Sequence, residues 1–113
     1  MKETIQNTRT LPDGTQIETF TRDIVDCNIL TVEAGTTGHR GGDTGHGGRT
    51  YFRIEDAAST DMTCEPYARK CKNGAVITGF EVRLGGDAEL DTIIKALGFI
   101  RKVLKSQRKE LRE

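Results

Sequence analysis

The sequence predicts an α+β domain: an antiparallel β-sheet packed on one long C-terminal α-helix. Three observations carry this. The apolar pattern changes from a strand-like period to a helical one near residue 85, glycines mark the joints before that point, and the segments between the joints are rich in β-branched residues. Thr4 to Thr10 and Thr15 to Thr21 form a predicted hairpin about Leu11-Pro12-Asp13-Gly14, where proline presets its φ and glycine accepts a positive one. Asp23 to Glu33 reads as a third, more buried strand through Ile24, Val25, Ile29, Leu30 and Val32, ending at Ala34-Gly35. Arg49 to Glu55 alternates, with Tyr51, Arg53 and Glu55 facing one way and Phe52 and Ile54 the other, and Ser59 to Glu65 is expected to pair beside it. Pro66 through Ala75 read as a charged connector with an Asn73-Gly74 turn signal. Val76 to Leu84 then resumes alternation, interrupted by Gly79, which predicts a bulge.

From Asp87 onward, Leu90, Ile93, Ile94, Leu97, Ile100, Val103 and Leu104 recur every three or four residues and predict one apolar stripe on a helix over 87–111. Asp87 after Gly85-Gly86 is the expected N-cap. Glu89 and Asp91 suit the positive first turn, and Lys102, Lys105, Arg108, Lys109 and Arg112 suit the negative end as a solvated, dipole-matched cluster. The whole chain, 1–113, is thus one domain: strands over 1–84 with a glycine-rich loop at 35–48, then the helix.

At 113 residues the chain is too short for two cores, and 35% apolar residues is low for one. The expectation is therefore a homo-oligomer that completes its core by subunit pairing. Seventeen basic residues balance seventeen acidic ones, which argues against coating duplex nucleic acid but leaves room for a small anionic ligand. No apolar run is long enough to span a membrane and the polar start lacks a signal sequence, so a cytoplasmic protein is expected. Cys27, Cys64 and Cys71, odd in number and irregular in spacing, read as buried free thiols of a reducing compartment. Neither the cysteines nor His39 and His46 have zinc-site spacing, so no metal or other cofactor is expected.

The segment Gly35-Thr-Thr-Gly-His-Arg-Gly-Gly-Asp-Thr-Gly-His-Gly-Gly48 concentrates seven of the thirteen glycines between two predicted strands. A loop this long in a small domain points to function. Consecutive glycines let backbone N–H groups converge on an anion, and phosphate is the obvious guest. Thr36, Thr37 and Thr44 add hydroxyls, His39 and His46 can donate to oxygen or stack on a base, and Arg40 and Arg49 bring charge with bidentate geometry. The segment is neither of two well-known phosphate motifs. Asp43 to Thr50 lacks the first glycine and the lysine of a P-loop and leads into a strand, and Gly45-His46-Gly47 lacks the rest of a dinucleotide fingerprint.

An enzyme would draw on His39, His46, Asp43, Glu33 or Asp56. Only Ser59 and Ser106 are serines, and neither sits in a nucleophile turn. No catalytic residue is assigned, and a cyclic-nucleotide phosphodiesterase using His46 is the alternative. Phe80 is either core or a stacking platform, and Arg101, at the edge of the helical stripe, either snorkels over core or reaches a ligand at a subunit interface.

The runs Thr19-Phe-Thr-Arg-Asp23, Val32-Glu-Ala-Gly-Thr-Thr-Gly38, Gly41-Gly-Asp-Thr-Gly-His-Gly-Gly-Arg-Thr-Tyr-Phe-Arg-Ile54 and Val82-Arg-Leu-Gly-Gly-Asp87 together resemble the first-described family of phage anti-Thoeris sponges, across nearly the whole chain. The resemblance implies a viral immune-evasion protein in the cytoplasm of the infected bacterial host. Such a protein sequesters, uncleaved, a cyclic ADP-ribose isomer such as the glycocyclic form made by TIR enzymes, and some members also take cyclic di- or trinucleotides. It implies homodimers assembled further, up to a hexamer, with pockets between subunits. The ligand-binding set on this reading is Thr37, Gly41, Gly42, Asp43, Thr44, His46, Arg49, Phe80 and Arg101.

Overall fold

In a computed structural model, which describes residues 3–41 and 47–108, the Pro-Asp-Gly turn closes the first hairpin as its chemistry requires. Gly14 takes φ 90°, its N–H donates to Leu11 O at 2.9 Å, and the Asp13 carboxylate accepts the Thr15 N–H at 3.0 Å. The flanking strands are β1 (Ile5–Thr10) and β2 (Gln16–Val25). With β3 (Ile29–Thr36) and β4 (Thr50–Ala58) they form an antiparallel sheet in sequence order. A second, two-stranded sheet joins β5 (Met62–Cys71) to β6 (Gly74–Leu84), and α1 (Asp87–Arg108) closes the described chain. The fold is α+β, with one C-terminal helix.

Four expectations are corrected. The predicted single strand Asp23 to Glu33 breaks at Asp26–Asn28. Asp26 N–H donates to Asn28 O, and the Asp26 carboxylate accepts the Cys27 N–H, a local bond that competes with the strand ladder. The expected connector at 66–75 is mostly strand: the Asn73-Gly74 turn lets β5 pair with β6 from Met62↔Leu84 to Cys71↔Gly74, and not with β4. The bulge predicted at Gly79 lies where the register shifts, Tyr67 pairing Gly79 and Ala68 pairing Ile77. The third correction is at the cysteines: all three are exposed, because Cys27 sits in a turn and Cys64 and Cys71 on the two-stranded sheet.

The fourth correction concerns the helix. One sheet face, built from Ile24, Leu30, Val32 and Ala34, packs on Ala96, Phe99, Ile100 and Val103 to make the core. At its N-terminal half the helix turns Glu89 and Thr92 inward, leaving Leu90, Ile94 and Leu97 more than half exposed. Polar pins set that rotation. The Asn28 amide donates to Thr92 Oγ1 at 3.1 Å and to Thr60 Oγ1 at 2.9 Å, and the Glu89 carboxylate accepts the Asp61 N–H at 3.0 Å. The helix begins one residue earlier than the expected cap implies: Asp87 is already helical, and Gly86 O accepts the Leu90 N–H. The predicted end beyond residue 108 lies outside the described residues.

Candidate functional site

The glycine-rich segment leaves β3 and returns to β4 at one end of the four-stranded sheet, beside the last turns of α1. Threonines close its base. Thr37 N–H donates to Arg49 O at 3.0 Å, and Thr37 Oγ1 accepts the Arg49 N–H at 2.9 Å. Thr36 Oγ1 lies 3.1 Å from Arg49 O and 2.9 Å from Thr50 Oγ1, and it accepts the Gly38 N–H at 3.0 Å. Within the loop Gly47 N–H donates to Gly41 O at 2.7 Å. Glycine is required at 48, where a β-carbon would stand 2.5 Å from Gly38 O.

Between this loop and the helix end lies a cleft of about 520 Å³. Its walls are Thr36, Gly38, His39, Arg40, Gly41, Gly48 and Thr50 from the loop region, with Leu104 and Arg108 from α1. Two guanidinium-bearing residues, two threonines and a histidine thus line it, and no carboxylate does so among the described residues. Such a lining offers charge-assisted donors to an anion. Thr50 is also in the wall of a second cavity of about 510 Å³, a mostly apolar trough whose walls include Phe52, Ile54, Phe80 and Val82, together with Tyr51 and Arg53. Cleft and trough therefore share a wall residue, Thr50.

An ion network is centred on Glu33, on the face of β3 away from the helix, and its Arg53 and Tyr51 also line the trough. Glu33 is buried and accepts Arg9 Nε and Nη2 at 3.0 and 2.8 Å, Arg53 Nε and Nη2 at 3.1 and 3.0 Å, and Thr19 Oγ1 at 2.7 Å. Arg53 also pairs with Glu55, and the Arg9 guanidinium stacks 5.0 Å from the Tyr51 ring centre. Burial pushes the Glu33 carboxyl up, but the hydrogen bonds from Arg9, Thr19 and Arg53 more than reverse this and hold it at about 2. It is a fixed anion with its acceptor capacity committed to structure.

The sequence-predicted site residues fall into separate places. Gly41 lines the cleft, while Thr37 spends its polar atoms closing the loop base. Arg49 lies against Asp13, its Nε donating to the Asp13 carboxylate at 2.8 Å, which holds that carboxyl at about 2. Phe80 is exposed and lines the trough. Arg101 is exposed on α1, on the stripe continued by Leu90, Ile94 and Leu97, and lines neither cavity. Gly42, Asp43, Thr44 and His46 lie outside the described residues. Sequence reasoning did not pick out Thr50, Leu104 or Arg108; Arg108 was read with the solvated helix end, and only folding puts that end beside the loop. No protein-family model matches this chain, and comparisons with curated proteins and with solved structures find no match.

Proposed function

We propose that this chain is a phage immune-evasion sponge that binds a nucleotide-derived signal, a cyclic ADP-ribose isomer first and cyclic di- or trinucleotides as a second class, and holds it uncleaved. The observation that carries the reading is that Thr50 lines both a cleft bearing Arg40 and Arg108 and a trough bearing Phe52 and Phe80. A pyrophosphate suits the first and a purine ring the second. Binding is the reading that the cleft's lining supports, since Arg40, Arg108 and the threonines offer charge-assisted and neutral donors to an anion. The site of action is the cytoplasm of the infected bacterium, where TIR enzymes make the signal.

A homo-oligomer is part of the proposal. On α1, positions 90, 94, 97, 101, 104 and 108 fall on one helical stripe, so the exposed Leu90, Ile94 and Leu97 lead through Arg101 to the cleft residues Leu104 and Arg108. A second copy seated on the apolar part would stand beside the cleft and bring Arg101 into use. A sponge must outcompete an effector tuned to the same signal, which calls for nanomolar binding, about 12 kcal/mol, and water-excluding walls from two chains help to supply it.

The test is to incubate the purified protein with cyclic ADP-ribose isomers and cyclic oligonucleotides, remove free ligand by filtration, denature the protein and identify what is released. Intact ligand at one equivalent per site is expected, with Arg40→Ala and Arg108→Ala each lowering capture at least tenfold. Altered product beyond one equivalent would instead make the protein a phosphodiesterase, and unchanged capture by both folded variants would place the ligand elsewhere.

A further inference from the structure

We infer that Gln107 is a positioning residue for the cleft: its side-chain amide takes the place of a backbone hydrogen bond between β2 and β3, wedges the two strands apart where the glycine loop leaves the sheet, and thereby seats the cleft wall. The inference rests on the proposed reading of the cleft as an anion site.

The antiparallel ladder of β2 and β3 runs from Val25↔Ile29 to Thr19↔Gly35. One step further Glu18 faces Thr36, and there the helix intervenes. Thr36 N–H donates to Gln107 Oε1 at 2.9 Å, and Gln107 Nε2 donates to Glu18 O at 2.9 Å. A carboxamide carries the same donor and acceptor as a peptide group, so it bridges two strand backbones that would otherwise bond directly. Gln107 is 5% exposed, and a buried amide is stable only when both ends are bonded, as they are here.

Two neighbouring features place this tie at the cleft. Gly35 lets the Glu18 carbonyl come so close that a β-carbon at 35 would stand 2.3 Å from it. Thr36, held by Gln107 through its N–H, uses its hydroxyl to bond Thr50 and the loop backbone, and both threonines line the cleft. Gln107 is also next to Arg108 and three residues from Leu104, the cleft's helical wall. One side chain thus ties β2, the cleft floor and the helix end together.

The experiment uses the full chain, with sodium pyrophosphate as probe and NMR couplings across hydrogen bonds as a ligand-free readout. The wild type should show Thr36 N coupled to the Gln107 side-chain carbonyl. In Gln107→Met, of similar length, the Thr36 coupling should move to the Glu18 carbonyl as the strands close, and pyrophosphate affinity should fall about tenfold. In an Arg108→Gln background the same substitution should cost less than a further twofold, because Gln107 acts through that wall. If Gln107→Met does not fold, Gln107→Glu keeps the acceptor for Thr36 but sets an acceptor against Glu18 O, and should lose affinity likewise. A folded variant that binds pyrophosphate as the wild type does, or losses that simply multiply with Arg108→Gln, would overturn the inference. If the wild type binds no pyrophosphate, the anion reading of the cleft fails, while the couplings still decide whether the wedge exists.

Discussion

Glu33 shows how one side chain links sequence, packing and pH. A carboxylate in the middle of a strand, on the face away from the helix, is tolerable in burial because Arg9, Arg53 and Thr19 converge on it. Its folded value of about 2 lies below the ordinary 4.5, so the folded state binds this proton more weakly than the unfolded one. The resulting stabilisation, about 3 kcal/mol, is fully present above roughly pH 4.5 and lost as pH falls toward 2. Glu33→Gln should therefore lower stability by about that amount at pH 7 and flatten the acid limb of a urea-denaturation series between pH 5 and 2. An unchanged acid limb would mean that other carboxylates carry it. In the sequence Glu33 was legible only as a carboxylate near the glycine loop, and so as a candidate acid or base; its partners lie on β1, β2 and β4, at separations no local pattern reveals.

At the scale of elements, local chemistry was legible and the partition of faces was not. The Pro-Asp-Gly turn, the Asn73-Gly74 turn and the helix that starts after Gly85-Gly86 all follow from φ preferences and capping that act within a few residues. The apolar stripe read along the helix, by contrast, divides between core and surface. Asn28 and Thr92, 64 residues apart, fix the rotation, and periodicity weighs apolar residues without seeing a polar pair that must be buried together. Asn28→Ala should strand the Thr92 hydroxyl and remove the tie to Thr60, costing about 2 kcal/mol and lowering Tm by roughly 10 °C in a thermal melt. A Tm within about 2 °C of the wild type would show that the apolar contacts alone set the helix. The candidate site was half legible for the same reason. Glycine clustering located the loop, whereas Arg108 and Leu104 reach it only through the helix-on-sheet packing.

For the whole molecule the question is what covers its apolar surface. Among the described residues, Leu90, Ile94 and Leu97 on the helix, and Val76, Ile77, Phe80 and Val82 on β6, are exposed. A two-stranded sheet that pairs with no other strand is marginal in water by itself, so β5 and β6 also call for a covering surface. A second copy of the chain is the occupant we propose, in line with the short length and low apolar fraction. Leu97→Glu places a charge in the middle of the helical patch, where burial without a partner is costly. Sedimentation equilibrium at micromolar concentration should give the wild type at least twice the chain mass and Leu97→Glu a lower mass with an unchanged far-UV spectrum. A wild type that sediments as a single chain would remove the second copy from the proposal and require the cleft to hold its ligand with the walls of one subunit.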